Sequence, residues 1–120
     1  KLKSQMDSGL SLPLQRLASW ALDNPNKDWT EKMRASYKTR RDIIAKYLEK
    51  MGLTFVLPKA GLYIWAKIPD LYENCGVFSR EVLNTKQVFF VPGTVYGKAG
   101  ERYVRISICV NIDKIDLYLG

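Results

Sequence analysis

The 120-residue chain contains no histidine and only two cysteines, Cys75 and Cys109. A zinc site built from cysteine and histidine needs four ligands, so none can form within this chain. The two cysteines have no metal-ligand spacing. A single disulfide is open to them, and two buried thiols in a cytosolic protein is the expectation. Apolar runs long enough for a membrane-spanning helix are absent, as are internal repeats and low-complexity tracts. Acidic residues are scarce beside basic ones, 12 against 19, giving a formal net charge of +7. That balance invites a nucleic-acid partner, but its distribution points elsewhere. Eight of the basic residues fall between Lys27 and Lys50, interleaved with Asp28, Glu31, Asp42 and Glu49. Glu31 with Arg34 and Asp42 with Lys46 are spaced to pair along a helix, the pattern of a solvated helix face. The excess charge can also draw in an anionic substrate or a partner domain, a secondary reading beside the solvated helix face.

What remains is an ordinary globular composition, 47% hydrophobic and 26% charged. A single domain of this length buries about two-thirds of its unfolded surface. With lysine and not methionine at position 1, the chain reads as a piece of something longer, with no signal peptide before Lys1.

Pro13 suits the first turn of a helix, and Leu14, Leu17 and Ala18 or Ala21 continue it at helical spacing until Asn24-Pro25. A long helix is predicted from about Trp29 to Met51. Asp28 is its expected N-cap, Glu31 completes a capping box, and Gly52 stops it. Its apolar stripe is Trp29, Met33, Tyr37, Ile44, Leu48 and Met51. Beyond Gly52 the period becomes strand-like, over Leu53–Leu57 and again over Leu62–Ile68. In the second of these, Leu62, Ile64, Ala66 and Ile68 share one face, and Tyr63, Trp65 and Lys67 the other. A short helix over Val77–Asn84, a buried strand over Val88–Val91, a strand over Tyr103–Val110 and a final helical turn capped by Asn111 complete the expectation. The fold class is α+β, a small antiparallel or mixed sheet packed against helices, with one long helix near the N-terminus.

The stretch Phe90–Cys109 carries the chemistry. Gly93, Gly97 and Gly100 lie in a loop between two strands, where glycine permits positive φ and close backbone approach. A phosphate-binding P-loop is excluded. Three residues separate Gly93 from Gly97 where that motif has four, Ala99 follows Lys98, and a strand follows where a helix should. On the strand, Val104, Ile106, Ile108 and Val110 form a core face, leaving Tyr103, Arg105, Ser107 and Cys109 opposite. Arg105 is a permanent cation whose planar fork suits a carboxylate. From the residues alone, an arginine on a solvated sheet face is the favoured reading, ahead of a carboxylate anchor.

Val91–Ser107, VPGTVYGKAGERYVRIS, resembles the late motif of class I/II, fold-type I pyridoxal-phosphate aminotransferases. Three further segments are similar to that family in the same order: KSQMDSG followed by Pro13-Leu14-Gln15, then Tyr37 with Arg40-Arg41-Asp42, then the run from Pro58 to Trp65. The nearest flavour is the bacterial aspartate, diaminopimelate and aromatic amino-acid subgroup. The resemblance implies that residues 1–120 are the carboxy-terminal small domain, with Arg105 gripping the substrate α-carboxylate and the Gly61 backbone lining the substrate pocket. More weakly, it implies that the Ser4 region approaches a neighbouring subunit's site. It also implies a cytoplasmic homodimer acting on an amino acid and a 2-oxo acid, with no membrane and no specific nucleic-acid partner. The Schiff-base lysine, the partner of the pyridine nitrogen and the phosphate cup of the family have no counterparts here. Catalytic, cofactor-binding and metal residues are therefore expected in none of the 120 positions. Pyridoxal phosphate would belong to the parent enzyme without being held covalently by this piece. Two other classes compete: a basic RNA-binding module using Tyr63, Trp65 and Lys67, and a module acting only in dimerisation or regulation.

Overall fold

A computed structural model describes residues 9–119 and divides the chain into two compact units, Lys1–Arg34 and Ala35–Gly120. The first unit holds helix α1, Leu12–Asp23, with Pro13 in its opening turn. Asn24 ends α1 by donating both its backbone and side-chain N–H groups to the Trp20 carbonyl, each at 2.9 Å. No residue of α1 is buried, and Leu14, Leu17 and Trp20 are exposed.

Helix α2 runs Lys27–Lys50 and crosses the division between the units. Its start corrects the expected cap. The Asn26 side chain accepts the Trp29 N–H at 3.0 Å, and the helix begins two residues earlier than Asp28 and Trp29 suggested. Asp28 lies instead inside the first turn, where its charge still favours the helix N-terminus. The apolar stripe is buried only toward its C-terminal end, at Ile44 and Leu48. Tyr37 and Met51 pack partly against the core, and Trp29 is exposed. The predicted helix-face ion pairs give way to one between neighbours, Arg41 and Asp42 at 2.7 Å.

In the second unit, strands β1 (Thr54–Phe55), β2 (Tyr63–Lys67), β3 (Val91–Pro92) and β4 (Tyr103–Ser107) form one sheet in the order β1-β2-β4-β3. Every pairing is antiparallel, so the sheet is not mixed. Ile64, Ala66, Val104 and Ile106 alternate onto one face and are buried. They pack in one cluster with Ile44 and Leu48 of α2 and with Phe78 and Val82 of helix α3, Cys75–Lys86. Two layers result, helices against one sheet face. Helix α3 is longer than predicted because the Asn74 side chain caps it, accepting the Gly76 and Val77 N–H groups at 3.0 Å.

Three strand expectations are corrected. β1 is only two residues long, and Val56 and Leu57 beyond it are exposed. Val88–Phe90 is not strand, because Gln87 ends α3 at φ +56° and the buried Ser79 hydroxyl donates to the Phe90 carbonyl. Only Val91 and Pro92 join the sheet, at an edge, where proline's missing donor is tolerated. β4 stops at Ser107, whose hydroxyl accepts the Cys109 N–H at 3.2 Å and turns the chain. Val110 is therefore exposed, not core. Helix α4, Ile112–Leu119, follows, with the Asn111 carbonyl accepting from Ile115. Both cysteines are free, Cys75 buried as expected and Cys109 exposed, against expectation. No described helix is long and apolar enough to cross a membrane.

Candidate substrate-carboxylate site

Arg105 occupies the middle of β4, opposite Trp65 of β2 and Val91 of β3, on the sheet face away from the helices. Its position follows from alternation: Val104 and Ile106 are drawn into the core, so Arg105 must point the other way. Half-buried there, its guanidinium carbon lies 4.2 Å from the centre of the Tyr63 ring and 4.9 Å from that of Tyr96. Tyr96 meets Trp65 edge-on at 5.8 Å, and Trp65 stacks on Tyr103 at 5.6 Å. Among the described residues, the ion pairs use Arg41, Lys67 and Arg102, and no carboxylate or carbonyl accepts from Arg105. A cation among aromatic rings with all its N–H donors unspent is equipped to take an anion.

The glycine loop delivers Tyr96. Residues Gly93–Tyr96 and Lys98–Gly100 form two short 3-10 turns. Gly93 and Gly100 are buried against each other so closely that a Cβ on either would run into the other's backbone. Gly97 between them sits at φ +126°, open to glycine and strained for other residues. The loop thus closes on itself at Gly93 and Gly100.

Gly61 lies two residues before β2, at φ +90°, exposed and with nothing near the position a Cβ would take. Conformation, not crowding, demands glycine there. Its turn leads directly into Tyr63. The same turn is tied to α2, because Arg41 donates to the Pro58 carbonyl at 3.0 Å. The Arg40-Arg41-Asp42 segment and the segment starting at Pro58 are therefore joined physically, a link that sequence spacing does not reveal. Ser4 lies outside the described residues.

Arg102, which the sequence did not single out, serves the scaffold. It donates to the carbonyls of Pro69 (3.0 Å), Tyr72 and Glu73 (3.2 Å) and pairs with Asp70 at 3.0 Å. Lys67, 3.2 Å away, and then Arg102 hold the Asp70 carboxyl below its usual range. Lys67 is thus paired with Asp70, and Trp65 stacks on Tyr103. The Tyr72 hydroxyl donates to Glu81 at 2.7 Å, and that bond, with some burial, raises its pKa. Among the described residues, no three histidine, cysteine, aspartate or glutamate side chains group to hold a metal.

The sequence model of the family described as aminotransferase class I and II matches residues 1–119. The LL-diaminopimelate aminotransferase of Dehalococcoides mccartyi is 38% identical over 116 residues, covering 97% of this chain and 29% of that protein. The glutamate–pyruvate aminotransferase of Escherichia coli is 36% identical over 117 residues, covering 96% of this chain and 28% of that protein. A solved aminotransferase from Staphylococcus aureus superposes with a TM-score of 0.78 at 32% identity, over 98% of this chain and 31% of that one. The chain thus spans under a third of the length of these relatives.

Proposed function

The chain belongs to the class I and II aminotransferases, and from that premise we propose that residues 1–120 are the small domain of a pyridoxal-phosphate-dependent transaminase. The parent would move an amino group between an amino acid and a 2-oxo acid. Within it, Arg105 binds the substrate α-carboxylate and the Gly61 turn contributes backbone to the pocket wall. The observation that carries this reading is the unpaired guanidinium of Arg105, held on a central strand with its donors free. Pinning the carboxylate fixes the orientation of the amino acid, which is the part a domain without cofactor residues can play. Closure of the domain over bound substrate would gate the site.

In this reading the glycine loop is not the seat of pyridoxal phosphate. The glycine loop is folded backbone on backbone, and Lys98 within it is exposed. The cofactor, which in this family supplies the electron sink for the amino-acid carbon, is assigned to the rest of the parent. A cytoplasmic homodimer without specific nucleic-acid binding completes the proposal. The competing readings, a stand-alone basic binding module or a dimerisation module, leave the free donors of Arg105 without a purpose.

The test is Arg105→Ala in the full-length protein, with Arg105→Lys beside it. Removing one partner of a desolvated charge pair costs roughly 2–5 kcal/mol, so kcat/KM should fall from about thirty-fold to a few thousand-fold. Lysine should restore only part, since a point charge lacks the two-pronged geometry. A folded Arg105→Ala protein that transaminates normally would return Arg105 to the role of a surface arginine.

A further inference from the structure

Two tyrosines flank Arg105 from segments far apart in the chain, Tyr63 on β2 and Tyr96 in the glycine loop. A guanidinium is a flat cation with two distinct recognition surfaces. Its faces attract aromatic rings, and its edge carries the N–H groups that meet a carboxylate. The ring centres at 4.2 and 4.9 Å place both tyrosines within cation–π range. Neither hydroxyl accepts from the guanidinium, so the contacts are with the rings and commit none of its N–H groups to a tyrosine oxygen.

From this geometry we infer that Tyr63 and Tyr96 are positioning residues, a clamp that holds the Arg105 guanidinium in the orientation in which it takes the substrate carboxylate. The inference rests on the assignment of Arg105 as the carboxylate anchor. A free arginine side chain surrenders considerable rotamer entropy when it is fixed. Rings against the guanidinium remove that freedom before substrate arrives. Affinity gained in this way comes from preorganisation and not from any new contact with the ligand.

The surroundings of the clamp are built to keep it in place. Tyr96 is held edge-on by Trp65, which is itself stacked on Tyr103. The loop bearing Tyr96 is fixed by the Gly93–Gly100 contact, and Gly93 also faces the Trp65 ring. Tyr63 is set by the β2–β4 register, where its neighbour Trp65 lies opposite Arg105. Both tyrosines are about half exposed, 46% and 51%, so shortening them opens no cavity in the core.

The experiment compares Tyr63→Leu, Tyr96→Leu, Tyr63→Phe, Tyr96→Phe and Arg105→Ala in the full-length protein, with L-glutamate as the amino-donor probe. Each leucine variant should raise KM by about two- to thirty-fold, the span expected for one cation–π contact. Arg105 is still present in these variants and still pins whatever substrate binds, so kcat should change much less. Both phenylalanine variants should keep the wild-type KM, because the ring and not the hydroxyl does the holding. Circular dichroism and thermal melts check that each variant is folded, and if a leucine variant is not, Tyr63→Met or Tyr96→Met replaces it. Leucine variants with unchanged KM, or phenylalanine variants as impaired as leucine, would overturn the clamp. Arg105→Ala separates that outcome from loss of the underlying assignment. If it weakens L-glutamate while the leucine variants do not, the anchor stands and the clamp falls. If it too has no effect, both fall.

Discussion

Arg102 and Arg105 lie three residues apart, yet the structure gives them opposite duties, and replacing Arg102 tests that division. Arg102→Ala removes donors to the carbonyls of Pro69, Tyr72 and Glu73 and an ion pair to Asp70. Asp70 is fully exposed, so its pair contributes little. The Glu73 bond is long and solvent-facing. The partly buried bonds to Pro69 and Tyr72 dominate, and with a charged donor discounted for partial exposure they amount together to roughly 2–3 kcal/mol. Their loss should fall locally on the connection between β2 and α3. Two backbone bonds report it, Tyr72 N–H to the Pro69 carbonyl and Cys75 N–H to the Glu101 carbonyl. Hydrogen exchange on the full-length protein should show these amides speeding up about thirty- to a hundred-and-fifty-fold, at about 1.4 kcal/mol per decade. The β2–β4 ladder should exchange as before. Transamination should fall far less than in Arg105→Ala. Unchanged exchange at Tyr72 and Cys75, or acceleration spread evenly over the sheet, would refute the assignment of Arg102 to this connection.

Gly100→Ala should place a methyl group against the Gly93 backbone, destabilise the loop by roughly 1–3 kcal/mol and raise KM through displacement of Tyr96, read by melting and steady-state kinetics. The phenol of Tyr72 should ionise above its usual value of 10.0 because the Glu81 bond favours the protonated form. A raised folded-state pKa means that its contribution is complete below pH of about 10 and is lost as pH rises through the higher value. The difference between wild-type and Tyr72→Phe absorbance titrations should therefore be one late-titrating phenol. Asp70 behaves in the opposite sense: its lowered pKa gives a contribution present above about pH 3.8 and lost as pH falls through the lower folded value, to be followed by carboxyl NMR against Asp70→Asn. Finally, the 120-residue chain treated with pyridoxal phosphate and borohydride should give scattered, substoichiometric lysine labelling; one fully labelled lysine would contradict placing the cofactor elsewhere in the parent.

The sheet's two central strands were legible because aliphatic residues alternate with polar and aromatic ones in both, a period that only one pairing face can bury. Arg105 was legible for the same reason. The helix starts were less so. Asn26 and Asn74 cap α2 and α3, but an aspartate two residues after Asn26 offered an equally good signal in sequence. The edge strand was misread because an apolar run such as Val88–Val91 does not show where its backbone bonds go, and here Ser79 takes one of them. Tyr63 could have been placed near Arg105 by pairing the non-core faces of the two strands. Tyr96 could not, since its position depends on how two glycines pack against each other. Arg102 gave no signal, because its acceptors, three backbone carbonyls and the Asp70 carboxylate, lie about thirty residues upstream.

Register partners Trp65 and Arg105 stand forty positions apart in the chain, with β1, β2 and α3 already passed before β4 is reached. No hairpin joins β2 to β4, so their pairing must await closure of a long loop, the kind of non-local contact that slows folding. The aromatic surroundings of Arg105 come into being at that moment and not before, since Tyr63 and Trp65 arrive with one strand and Tyr96 and Tyr103 with the other half of the chain. Trp65, which stacks on Tyr103 across that pairing, should therefore change its fluorescence when β2 and β4 come together, read in a protein with Trp20 and Trp29 replaced by phenylalanine. In refolding it would serve as a built-in clock for the assembly of the carboxylate site, separate from the earlier signals of helix formation in α2 and α3.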